Sequence, residues 1–92
     1  PGHPGEVHVG RVAVRATARG RGVGAALMSH LEGVAIARHG VRRGDDLVVL
    51  VALSAQEHAI GFYTRLGYSL VPGERYLDAG IWHRDMERRV RI

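Results

Sequence analysis

Leu47 to Leu53 form an unbroken apolar run, LVVLVAL, set between the acidic pair Asp45-Asp46 and Ser54. A run of this length and β-branched content predicts a strand covered on both faces, and therefore a central strand. It is far too short to span a bilayer, which takes roughly 20 apolar residues in a helix. A chain of 92 residues has room for one domain, spanning 1–92, so the remaining elements must be laid around this strand. Upstream, Val23, Ala26, Leu27, His30, Leu31, Val34 and Ala35 recur at spacings of three and four. They predict one face of a helix that ends near Gly40 in a left-handed cap. Downstream, Ser54 caps a shorter helix carrying Ala59, Ile60, Phe62, Tyr63 and Leu66, stopped by Gly67.

The outer elements follow from the same signals. Pro1 to Gly5 read as loop. Val7, Val9, Val12 and Val14 predict a strand from about Glu6 to Arg15 whose alternation slips at Gly10-Arg11, the mark of a bulge. Val41 to Asp46 read as a polar turn, Tyr68 to Val71 as a short strand, Pro72 to Glu74 as a turn, and Ile81 to Met86 as a final strand. The order β-α-β-α-β-β predicts an α/β layer whose first two strands are parallel, joined by a helical crossover.

Composition narrows the functions. Cysteine is absent, which removes disulfides, thiolate metal sites and a cysteine nucleophile. His3, His30, His39 and His58 show no paired ligand spacing, so no metal is expected. All thirteen basic residues are arginine and the net charge is +4, a balance that raises nucleic-acid binding. The arginines are scattered, however, and no aromatic residues interleave with them as a stacking platform, so neither nucleic acid nor membrane is an expected partner. No secretory leader is visible, and the expected location is cytoplasmic.

The sharpest local feature is Arg19-Gly20-Arg21-Gly22-Val23-Gly24-Ala25, placed after a strand and opening a helix. Glycines let main-chain N–H groups approach an anion, and a helix amino terminus adds unpaired donors and a favourable dipole. The stretch lacks the Gly-Lys-Ser/Thr ending of nucleotide hydrolases. Its glycines, evenly spaced at two, do not fit G-x-G-x-x-G either.

Arg19-x-x-Gly22-x-Gly24 resembles the Q/R-x-x-G-x-G/A signature of the GNAT N-acetyltransferase superfamily, whose loop wraps the pyrophosphate of coenzyme A. A second stretch, Ala59-Ile60-Gly61-Phe62-Tyr63-Thr64-Arg65-Leu66-Gly67-Tyr68, is similar to the A-x-x-F/L-Y-x-x-x-G-F/Y element after that family's central strand. Leu53-x-Ala55-Gln56 together with Gly80-Ile81-x-His83-x-x-Met86 looks like the ElaA-like branch. The resemblance covers about Val7 to Arg88 and implies the GNAT-type (acyl-CoA N-acyltransferase) mixed sheet flanked by helices. It further implies acetyl-coenzyme A as cosubstrate and a primary amine, on a small molecule or a peptide, as acceptor.

The resemblance also assigns roles. The main chain of Val12, Ala13 and Val14 would pair with the pantetheine arm, with the amide near Val14 polarising the thioester carbonyl. Arg19 and Gly20, then Arg21, Gly22, Val23, Gly24 and Ala25, would hold the phosphates, with Gln56 and Phe62 also at the cosubstrate. Tyr63 would give a proton to the thiolate leaving group, a task suited to a phenol that is protonated at neutral pH; its ring would equally suit the core beside Phe62 and Leu66. Glu6, with His8 at the start of the first strand, is the candidate base and His83 a candidate acceptor-site residue, although a charge at a strand end or a structural histidine would account for either. Matched against the family, the chain starts at the fourth strand, without the N-terminal strands and helices that build most of the acceptor pocket. This leaves the first strand with an open edge and implies either a piece of a longer chain or a homodimer that completes the sheet. A GNAT module that binds without turnover is the alternative.

Overall fold

The computed structural model describes residues 4–17 and 21–92. Its centre is an antiparallel pair of long strands, β3 (Asp46–Gln56) and β6 (Ile81–Arg91), in register from Val48 opposite Arg91 to Gln56 opposite His83. β1 (Glu6–His8) runs parallel along the other edge of β3, with Glu6 opposite Leu50 and His8 opposite Ala52. The connection between them holds α1 (Arg11–Thr17) and α2 (Arg21–His39), which is the expected helical crossover. β4 (Ser69–Leu70) and β5 (Tyr76–Asp78) both pair with the outer edge of β6.

The segment expected to be one long bulged strand divides in two. β1 ends at His8, and Arg11–Thr17 is helical, with the Val14 amide bonded to the Gly10 carbonyl at 3.0 Å. Arg11, Ala13, Arg15 and Ala16 are good helix formers, and a segment with no partner strand satisfies its main-chain groups by coiling on itself. The polar turn of Val41 to Asp46 is a hairpin: β2 (Val41–Arg43) folds back on β3 through Gly44-Asp45. Gly44 has φ +62°, which a two-residue turn of the II′ kind requires at its first position. A second hairpin joins β5 to β6 through Ala79 and Gly80, at φ 53° and 77°, the I′ pattern.

Burial alternates along β3. Val49, Val51, Leu53 and Ala55 are buried, whereas the residues between them are half-covered, so the apolar run is shielded on one face more than on the other. The buried face meets Met28, Ala35 and Ile36 of α2, Tyr63 of α3 (Ile60–Arg65), Tyr68, and Met86 of β6. On α2 the buried line is Gly24, Met28, Glu32, Ala35 and Ile36, one position away from the expected face; His30 is exposed and Val23 is 69% exposed.

Glu32 explains the offset. Its buried carboxylate accepts 2.8 Å bonds from the Tyr68 hydroxyl and the Arg88 guanidinium, binding α2 to β6 and to the residue that leads into β4. Burial first, then the hydrogen bond to Glu32, pushes the Tyr68 phenol well above its ordinary value.

Two helix ends differ in kind. After α3, Gly67 (φ +99°) donates to Thr64 and Tyr68 donates to Tyr63, the paired bonds of a Schellman stop. Gly40 after α2 is not left-handed. A Cβ there would fall 2.5 Å from the Ile36 carbonyl oxygen and 2.8 Å from Leu47 Cγ, so close packing demands the glycine. β3 runs through Ser54 to Gln56, and Ser54 therefore caps no helix; a 3₁₀ turn (Glu57–Ala59) intervenes before α3.

Candidate active site

β1 stops pairing with β3 at Ala52, whose carbonyl accepts from Val9 at 2.8 Å, and the chain then turns away into α1. β3 continues for four more residues with no strand along that edge among those described. Leu50 and Ala52 direct their main-chain groups towards β1. By the two-residue period of a strand, Ser54 and Gln56 direct theirs into the gap.

That gap is a cleft of about 180 Å³, whose walls include Val14, Arg15, Ser54, Gln56, Asp78 and His83. A smaller cavity of about 90 Å³ adjoins it, lined by Val14, Arg15, Gln56, Ala59 and Tyr63. Because Val14, Arg15 and Gln56 border both, the two form one groove with His83 at one end and Tyr63 at the other. Tyr63 is 1% exposed, its ring edge-on to Phe62 at 5.1 Å and to Tyr68 at 5.9 Å. It is thus both a core residue and a wall of the groove. Phe62 packs on the core and lines neither cavity.

His83 is held firmly. Its ring is buried, stacks on Tyr76 at 5.9 Å, and places Nδ1 2.7 Å from the Ile81 carbonyl. A carbonyl only accepts, so Nδ1 carries the hydrogen, and in the neutral ring Nε2 keeps a lone pair. Beside it the Tyr76 hydroxyl donates to Asp85 at 2.6 Å and is bonded to Ser54. At the rim, Arg11 pairs with Asp78, an exposed ion pair that contributes about 0–1 kcal/mol.

The remaining expected residues fall elsewhere. Glu6 bonds to His8 at 2.9 Å and lines a separate hollow with Val41, Arg43 and Leu50. It stands opposite Leu50, whereas His83 stands opposite Gln56, a separation along β3 of roughly 20 Å at the rise of a strand. The structure does not bring Glu6 together with Tyr63 or His83. Val12, Ala13 and Val14 lie on α1, where Val14's amide is spent inside the helix, so they offer no strand edge here. Arg19 and Gly20 lie outside the described residues.

Arg21 is the first described residue of α2, and Arg21, Gly22, Val23 and Gly24 make its first described turn, directly after Arg19 and Gly20 in the sequence. No acidic side chain sits in that turn, and a Cβ on Gly22 would meet nothing within 4 Å. Tyr76, Asp78 and Asp85 carry no signal in the sequence, and Ser54 reads there only as a helix cap. Only the unexpected β5–β6 hairpin and the β3–β6 register bring them to one face.

Residues 3–90 match the family model of the acetyltransferase (GNAT) domain. The chain belongs to this family. The GNAT domain is also similar to a solved structure described as an acyl-CoA N-acyltransferase from Pseudomonas aeruginosa, at 36% identity and a TM-score of 0.68 over 94% of this chain. It spans 52% of that protein's length. Among the described residues of the GNAT domain no cluster of side chains could hold a metal ion, and no helix is long and apolar enough to cross a membrane.

Proposed function

We propose that this GNAT domain, of the ElaA-like branch, transfers an acetyl group from acetyl-coenzyme A to a primary amine by direct attack. The reading is carried by the groove that joins Tyr63 to His83 along the unpaired edge of β3. Acetyl-coenzyme A supplies an activated thioester, and the surroundings suit it. The diphosphate fits the acid-free start of α2, where the main chain of Arg21, Gly22 and Val23 would donate, with Arg19 and Gly20 before it, while the Ala25 amide is taken up by the helix bond back to Arg21. The amide-bearing pantetheine arm fits the free edge at Ser54 and Gln56, in the manner of an added strand, in place of Val12 and Val14.

Tyr63 then stands at the thioester end, as donor to the departing sulfur. His83 stands at the acceptor end, its Nε2 able to take the proton that nitrogen sheds as the new N–C bond forms. Glu6 has no part in this arrangement. The chain spans about half of its structural relative, and a second copy completing the sheet would supply the rest of the acceptor pocket.

Titration with acetyl-coenzyme A, followed by thermal unfolding, tests the first half of the reading. Binding to the native state alone adds about 2.7 kcal/mol at a hundredfold excess over Kd. Tyr63→Phe should keep that shift and lose about a hundredfold or more in thiol release. A shift without turnover in the unaltered protein returns the non-catalytic module, and the absence of any shift refutes the proposal.

A further inference from the structure

We propose that Ser54, Tyr76 and Asp85 form a one-way proton relay that carries the ammonium proton of the acceptor from the cleft to solvent, an inference that rests on the acetyltransferase reading. Ser54 lines the cleft, half-buried, while Asp85 is exposed. Tyr76 lies between them, bonded to both.

The order of donors fixes the direction. An ionised carboxylate only accepts, so the Tyr76 hydroxyl donates to Asp85. Its oxygen is then left to accept, so Ser54 donates to Tyr76. The Ser54 oxygen is consequently an acceptor, and it belongs to a residue that lines the cleft. Both bonds of the chain point the same way, from Ser54 to Asp85. Burial, and after it the hydrogen bond to Asp85, raises the Tyr76 phenol above its ordinary value and keeps it a donor at neutral pH.

An ammonium must lose two protons to become an amide. The first leaves before attack, because only the free amine has a lone pair; the second leaves as the N–C bond forms and the C–S bond breaks. The relay accounts for the first. The ammonium proton passes to Ser54 Oγ, the Ser54 hydrogen to Tyr76 Oη, and the Tyr76 hydrogen to an Asp85 carboxylate oxygen, which releases it to water. No group is oxidised or reduced. The second proton remains with His83 Nε2, on which Tyr76 stacks.

The test compares two probe amines in the full protein. One is a simple alkylamine, protonated at neutral pH; the other is trifluoroethylamine, whose nitrogen is largely unprotonated there and has no first proton to lose. Tyr76→Phe keeps the ring against His83 and breaks the chain at its middle; Ser54→Ala breaks it at the entrance if the first variant does not fold. The expected result is a loss of about tenfold or more in turnover of the alkylamine, with less than about twofold for trifluoroethylamine. An equal loss with both amines, or no loss with either, overturns the relay. The same samples are titrated with acetyl-coenzyme A. Absence of both thermal shift and turnover in the unaltered protein strikes the acetyltransferase reading, whereas normal binding with a loss independent of the amine strikes the relay alone.

Discussion

Tyr68→Phe removes one oxygen atom and tests how the helical layer is tied to the sheet. The lost hydroxyl donates at 2.8 Å to Glu32, a side chain only 11% exposed, while Arg88 continues to hold the other carboxylate oxygen at 2.8 Å. The phenyl ring can stay where it is, edge-on to Tyr63 at 5.9 Å. The cost is therefore that of a charged hydrogen bond with its acceptor left buried, about 1.5–3 kcal/mol. With a urea m-value of roughly 1–1.5 kcal/mol per M for so small a chain, the unfolding midpoint should fall by about 1–3 M. The pH arm has a definite sign. Tyr68 is raised in the folded state, so its contribution is complete below the unfolded phenol value near 10 and is lost as pH rises beyond it. Urea unfolding of both proteins at neutral pH and in the alkaline range measures this. A neutral-pH cost under about 0.5 kcal/mol, or an alkaline loss of equal size in both, would refute the argument.

Three further substitutions probe the scaffold. Gly33→Ala lies in the exposed interior of α2 with open space around it and should add about 0.5–1 kcal/mol, whereas Gly40→Ala should cost about 1–3 kcal/mol by driving a methyl against Ile36 and Leu47; chemical denaturation reads both. Met86→Ala should cost about 2–5 kcal/mol in the same assay, because Met86 is fully buried in the face beneath α2 and α3.

The frame was legible where the signal is local. The apolar run located β3, the spacing of three and four located α2, and Gly67 marked the end of α3 for the reason a left-handed position always favours glycine. The parallel pairing of β1 with β3 followed from the crossover. What escaped depends on partners distant in the chain. Glu32 reads as a solvent-facing charge until Tyr68 and Arg88 are brought to it, and for that reason the core line of α2 was placed one residue off. Val12 and Val14 read as strand because both are β-branched, but after Val9 the chain turns away from β3 and pairs its main chain within α1. The β5–β6 turn hides because Ala79, not Asn or Asp, holds the first left-handed position. With that hairpin unseen, Ser54 read as a cap and Tyr76 and Asp85 carried no role. The motif residues Tyr63, Gln56 and His83 do meet along one groove, while Glu6 lies a strand's length away.

The alternation along β3 gives this strand an unusual sensitivity. Val49, Val51, Leu53 and Ala55 fill the interior, and Ser54 and Gln56, interleaved among them, furnish the cleft. Losing or gaining a single residue between 46 and 56 would exchange the two sets, emptying the interior and blocking the cleft in one step. Along this stretch a substitution that keeps the alternation disturbs one site, whereas a change of length disturbs the interior and the cleft together.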